Sequence, residues 1–178
     1  GDLGGKVLSP GVYCISGVGL LTSQLTLDGP SDGVWIFKAE TSLTPIGGSV
    51  VMAGGGQPSN VYWQTGTAVS LDATKFLGSI LAGSAITFTG VGSSLDGRAL
   101  AKTAVTMTGT TIGAAAVPPV AVTPTPTPTP VPPTPTPTPT PTTGPAPVDL
   151  GTAANFAVLG GAGVTCTEST VTGVVGSL

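Results

Sequence analysis

Gly78-Ser79-Ile80-Leu81-Ala82-Gly83-Ser84-Ala85-Ile86-Thr87-Phe88-Thr89-Gly90 lies without a gap on Gly97-Arg98-Ala99-Leu100-Ala101-Lys102-Thr103-Ala104-Val105-Thr106-Met107-Thr108-Gly109. The offset is 97 − 78 = 19 residues. Inside each copy apolar and hydroxyl side chains alternate: Ile86 and Phe88 against Thr87 and Thr89, Val105 and Met107 against Thr106 and Thr108. A period of two is that of a strand with one buried face. A self-similar period near 19 residues is one coil of a β-solenoid, with coils stacked about 4.8 Å apart. Ile86, Phe88, Val105 and Met107 are then expected to form an inward ladder. Gly suits the corners because it tolerates positive φ.

Looser copies extend the repeat upstream. Asn60-Val61-Tyr62-Trp63 is followed by Ala68-Val69-Ser70-Leu71, and Val34-Trp35-Ile36-Phe37 by Leu43-Thr44. Further strand-like runs are Gln24–Asp28, Ser49–Ala53 and Ser79–Ala82. No run shows the 3.6-residue spacing of a helix over three turns. A β-sandwich of hairpins is the rival. It is disfavoured because paired strands around an Asn-Gly or Asp-Gly turn are scarce, and Asp96-Gly97 fits a solenoid corner as well.

The 178 residues carry 5 Lys and Arg, 8 Asp and Glu, and no His. Without His there is no Ser-His-Asp triad, no Cys-His pair and no His-ligated zinc. Five scattered cations and a pI near 4.4 argue against nucleic acid, which needs a basic stripe. No apolar run reaches the 18 or so residues of a membrane span. The chain opens at Gly1 without a Met or a signal peptide, which is the expectation for a mature product or an excised piece.

Fourteen of the 18 prolines lie between Pro118 and Pro147, mostly alternating with Thr. Such a tract is expected to be an extended polyproline II spacer reaching on the order of 90 Å. Its Thr density suits O-glycosylation in a secreted protein. Three parts follow: 1–117 with room for a core, a linker at 118–147, and 148–178. The last part is too small to bury a core alone, so it must pack on something else, belong to a truncated domain or stay loose.

The ordered motifs Gly1-Asp2-Leu3-Gly4-Gly5, Leu8-Ser9-Pro10-Gly11-Val12-Tyr13, Leu25-Thr26-Leu27-Asp28-Gly29, Val34-Trp35-Ile36-Phe37, Asn60-Val61-Tyr62-Trp63-Gln64 and Leu95-Asp96-Gly97-Arg98-Ala99-Leu100-Ala101 resemble the microbial ice-binding (antifreeze) protein family. That family has a discontinuous right-handed β-helix, and the resemblance covers about residues 1–112. Val148-Asp149-Leu150-Gly151-Thr152-Ala153-Ala154-Asn155-Phe156-Ala157-Val158-Leu159 resembles the opening of the same family. The family's order is therefore inverted around the linker, and its helical region is missing. Two arrangements fit: a window cut across a tandem array, or a permuted segment that packs on the first part.

The resemblance implies an all-β right-handed solenoid whose partner is an ice crystal surface, with no catalysis, no cofactor and no metal. The family's face carries a loose Thr-Ala/Gly-Xaa-Thr/Asn pattern. Thr67-Ala68-Val69-Ser70, Ser84-Ala85-Ile86-Thr87 and Thr103-Ala104-Val105-Thr106 resemble it. The expected site is thus Thr67, Ser70, Ser84, Thr87, Thr89, Thr103, Thr106 and Thr108. Ser70, Thr87 and Thr106 form one outward file, and Asp72, Thr89 and Thr108 a second. Thr supplies a methyl and a hydroxyl on a stiff β-branched stem. Asp72 breaks an otherwise uncharged file. Read without the family, these residues are ordinary exposed strand threonines.

Cys14 and Cys166 are the only cysteines; either they bridge the two parts, or each is an orphan. The acids are dispersed, with Asp28 and Asp32 flanking a Gly29-Pro30 turn, so a polysaccharide-cleaving pair is not indicated. Arg98 is expected to pair with a carboxylate or cap a carbonyl. Trp35, Tyr62 and Trp63 offer a sugar platform, but the alternation puts at least one of Tyr62 and Trp63 in the core. The expected function is ice binding by a secreted or cell-surface protein, with neighbouring modules of the same chain as further partners. The alternative is a non-catalytic adhesin or structural module that binds carbohydrate or protein.

Overall fold

A computed structural model describes residues 1–113 and 144–177. They wind into a three-sided solenoid of short strands, every ladder of which is parallel. The first side holds β1 (Val7–Leu8), β4 (Leu25–Asp28) and β7 (Val50–Ala53). The second holds β2 (Gly11–Ile15), β5 (Trp35–Ala39), β8 (Val61–Thr65), β10 (Lys75–Ala82) and β12 (Ser94–Ala101). β14 (Thr111–Gly113) and β17 (Thr170–Thr172) continue the first-side half of β12, and β15 (Phe156–Gly160) and β18 (Val174–Ser177) its second-side half. The third side holds β3 (Gly19–Leu21), β6 (Leu43–Pro45), β9 (Val69–Asp72), β11 (Ile86–Thr89), β13 (Ala104–Thr108) and β16 (Gly163–Thr167).

The alternation seen in the sequence sets the walls. Ile86, Phe88, Val105 and Met107 point inward and are at most 1% exposed. On the second side the inward file is aromatic: Phe37 stacks on Trp63 with centroids 4.0 Å apart, and Tyr13 stacks on Phe37 at 5.2 Å. The indole nitrogens of Trp63 and Trp35 donate to the carbonyls of Leu77 and Leu8, both at 2.9 Å. These bonds satisfy the only polar atom of each ring, so the full apolar area can be buried. Trp35, Tyr62 and Trp63 are all buried, so the sugar platform considered above does not form.

The 19-residue offset holds where it was read, since Gly78 pairs with Gly97 and Ile86 with Val105. It does not hold for the whole solenoid. Tyr62 pairs with Ser79, 17 residues on, and Ile36 pairs with Tyr62, 26 residues on. The extra residues of the wide coils sit in the turn between the first and second sides, at Gly29–Val34 and Gly54–Asn60. From β10 on, that turn is gone, and one eight-residue strand serves two sides. The strand bends at Gly78, whose φ of +98° is costly for any other residue. A Cβ on Gly97 would fall on the Gly78 carbonyl. Asp96-Gly97 is therefore a solenoid corner, as expected, set inside β12 where the strand passes from the first side to the second.

Two one-turn 3₁₀ helices, Pro58–Asn60 and Gly151–Asn155, are the only helical elements among the described residues. Residues 144–177 pack on the first part. β15 pairs with β12, β16 with β13 and β17 with β14. Residues 114–143, which hold most of the expected spacer, and Leu178 lie outside the described residues.

The bridge between Cys14 and Cys166 is excluded. Cys14 lies on β2 and Cys166 on β16, in the first and last coils, and both thiols are free and exposed. Five strand spacings separate β3, in Cys14's coil, from β16. At about 4.8 Å each this is roughly 24 Å along the axis. A disulfide tolerates no more than about 7 Å between Cα atoms.

Candidate functional site: the hydroxyl face

The third side of the solenoid is a six-stranded parallel sheet, and its outward positions form two files. In the first, Thr87 stands in register with Ser70 on one side and Thr106 on the other, and Thr106 with Thr165. Thr44 of β6 extends the file, because Leu43 pairs with Val69 and so sets Thr44 beside Ser70. Leu20 of β3 pairs with Thr44 and ends it with an apolar residue. In the second file Thr89 pairs with Asp72, Thr108 follows Thr89 one coil on, and Thr108 pairs with Thr167. Ile46 bridges to Asp72 at the far end.

The spacing of this array follows from strand geometry. Neighbours within a file are about 4.8 Å apart, and the two files lie two residues, or about 6.6 Å, apart. The inward residues between them fix the plane: Val69, Leu71, Ile86, Phe88, Val105 and Met107 are all buried. Each β-branched Thr stem stands on a strand held from below and from both sides, so its χ1 freedom is already small.

Thr89, Thr106, Thr108, Thr165 and Thr167 are exposed, and Ser70 and Thr87 are half-buried. Asp72 is the one charged residue in the strands of this side. Thr89 turns its hydroxyl to the Leu71 carbonyl at 3.4 Å, a long and weak bond. The other threonines of the two files donate to no protein group among the described residues, and their hydroxyls face solvent.

Thr67, Ser84 and Thr103 lie elsewhere. They precede the strands and line the corner between the second and third sides. Their backbones stack there, with the Ser84 N–H donating to the Thr67 carbonyl and the Thr103 N–H to the Ser84 carbonyl. Ala162 continues this corner by donating to the Thr103 carbonyl. The flat array therefore holds Ser70, Thr87, Thr89, Thr106 and Thr108 of the expected set, and the remaining three flank it.

Sequence reading missed Thr44, Thr165 and Thr167. Thr44 was hidden by the 26-residue coil that carries it. Thr165 and Thr167 were hidden by the tract that separates them from β13. Their signal was present: Gly163-Val164-Thr165-Cys166-Thr167 has the same alternation as Ala104-Val105-Thr106-Met107-Thr108.

Arg98 caps a carbonyl, its Nε donating to Ala154 at 3.0 Å. It lies on the outer surface of the second side, and so does Tyr62, whose phenol burial pushes its pKa up. The stretch before β15 runs across both residues. No group of three or more His, Cys, Asp or Glu among the described residues could hold a metal. No helix of the described residues is long and apolar enough to cross a membrane.

The third side is thus one flat, nearly uncharged face of stacked hydroxyls on a parallel β-solenoid. The family described as ice-binding-like matches residues 1–113, and the chain belongs to that family. It is 38% identical over 109 residues to an ice-binding protein of Flavobacterium frigoris, covering 60% of this chain and 39% of that protein. It is 42% identical over 111 residues to one from a Nostoc species, covering 60% and 41%. The chain thus spans about two fifths of the length of these curated relatives. Among solved structures, the ice-binding protein 1 domain of Shewanella frigidimarina aligns with a TM-score of 0.62 at 33% identity, covering 65% of this chain and 51% of that one. The ice-binding protein of the Antarctic ascomycete Antarctomyces psychrotrophicus aligns at 0.59 and 30%, covering 61% and 55%. The names of these relatives state ice binding and no catalysed reaction.

Proposed function

We propose that the chain binds ice through the third side of the solenoid and restrains the growth and recrystallisation of ice crystals. The observation that carries this is the register of Ser70, Thr87, Thr106 and Thr165 in one file, with Thr89, Thr108 and Thr167 beside it. A lattice is recognised by repetition in two directions, and a parallel sheet supplies both from its own geometry. The methyl groups reduce the local hold on water, and the hydroxyls keep single hydrogen bonds available. Charges would hold a disordered shell of water, and the array carries one, at Asp72. The names of the relatives support the same reading.

The site residues are Ser70, Thr87, Thr89, Thr106 and Thr108, joined by Thr165 and Thr167, with Thr67, Ser84 and Thr103 along one border. Binding is adsorption, with no bond made or broken and no cofactor. We place the protein outside the cell, where growing ice is met. The test is ice-crystal shaping and recrystallisation inhibition by the full chain at micromolar concentration. Faceted crystals and arrested coarsening are expected. Round crystals that coarsen at the rate of buffer would favour a carbohydrate- or protein-binding adhesin.

A further inference from the structure

We infer that residues 144–177 are an exchangeable coil, and that the edge they occupy accepts the same segment from a second copy of this chain. The order of the sides is the first clue. The chain passes from the first side to the second and then the third, coil after coil, as far as β14, which continues the first-side edge of β12. β15 then resumes on the second side, beside the other half of β12, and β16 on the third. The winding is unbroken in space, yet residues 114–155 lie between β14 and β15 in the chain.

The segment depends on that edge. It buries Ala157 and Val158 against the preceding coil, and its ladders to β12, β13 and β14 satisfy three open strand edges. A piece of about 34 residues holds no sufficient core by itself, and an unpaired parallel edge is a template for any matching strand. Each copy of the chain therefore presents one donor and one acceptor of identical shape. All the contacts seen here are the same whether the donor is its own or a neighbour's.

Length makes the choice a matter of concentration. Gly113 ends β14, while Gly144 lies against Pro10 and Val34 at the level of β2 and β5. Four to five strand spacings, about 20 Å, separate the two. Thirty residues can reach roughly 100 Å. For a flexible connection, excess length over the span sets the effective concentration at millimolar or below, and the value falls further as the excess grows. Exchange also carries Thr165 and Thr167, so the last row of the hydroxyl face can come from a neighbour.

The test uses the full chain and reads mass, not ice activity, so it stands apart from the functional reading. Nitrogen-15-labelled and unlabelled chains are mixed from 1 µM to 1 mM and examined by native mass spectrometry and light scattering. Mixed-mass dimers rising toward the millimolar range are expected. Val158→Glu, which sets a carboxylate at a fully buried position of β15, should abolish the mixed-mass dimers. Two results overturn the inference: a wild-type chain that stays monomeric at 1 mM, or an association that survives Val158→Glu.

Discussion

Thr106 and Thr165 stand in register on neighbouring parallel strands, although residues 114–143 lie between them in the chain. The hydroxyl face is thus assembled from two pieces of sequence. Its geometry is set by backbone ladders and by the buried residues beneath, and its chemistry by what projects outward.

Replacing Thr87 or Thr106 with Tyr should abolish most ice activity and leave stability within about 0.5 kcal/mol of wild type, as surface changes usually do. Both side chains point away from the core, yet a ring rising from the centre of the array lifts several coils off a flat lattice. Thermal unfolding and recrystallisation assays on the same preparations check the pair of outcomes. An unfolded Thr87→Tyr would mean that the strand is set the other way up.

Ile86→Ala should do the reverse and cost about 2–5 kcal/mol, because Ile86 is fully buried and the cavity it leaves is closed in by the coils on either side. Denaturant unfolding measures this. Activity per folded molecule should stay near that of wild type, since no outward group changes.

Thr165→Tyr should weaken ice activity by less than Thr106→Tyr, because Thr165 lies in the end row and Thr106 has neighbours on both sides. Dose–response curves for recrystallisation inhibition rank the two. Equal loss would mean that the end row is as central to contact as the middle one.

Tyr62 makes the fold sensitive to alkali. Its phenol pKa is raised above 10.0 mainly by burial, while the Val148 backbone and the Arg98 charge pull the other way. The folded chain therefore keeps the proton to higher pH than the unfolded one. This contribution to stability is fully present below pH 10 and is lost as the pH rises through the raised value. Near-UV circular dichroism should report a loss of aromatic order above pH 10 in wild type and a smaller one in Tyr62→Phe.

The wall of the solenoid was legible in the sequence where the coils are regular. Ile86, Thr87, Val105 and Thr106 lie where an offset of 19 puts them, because no residue intervenes in a turn. The wide coils were less legible. The turns at Gly29–Val34 and Gly54–Asn60 add residues without changing the strands, so a fixed period passes over Thr44. The docked coil was the hardest to see, because its pairing to β13 is not local in sequence and only the alternation of Val164, Thr165 and Thr167 marks it. The disulfide expectation failed for a related reason: cysteine count carries no information on height along the axis, and Cys14 and Cys166 occupy opposite ends.

The most direct test of the account compares the full chain with its Thr87→Tyr, Thr106→Tyr double variant in a growing ice hemisphere, both in a Cys166→Ser background and carrying a thiol-linked fluorescent label on Cys14, which is exposed on the second side, away from the flat array. The wild-type chain should be drawn into the ice and give facets. The folded double variant should stay in the liquid. Equal incorporation of both into ice, with the variant's fold intact by circular dichroism, would contradict the assignment of the hydroxyl face.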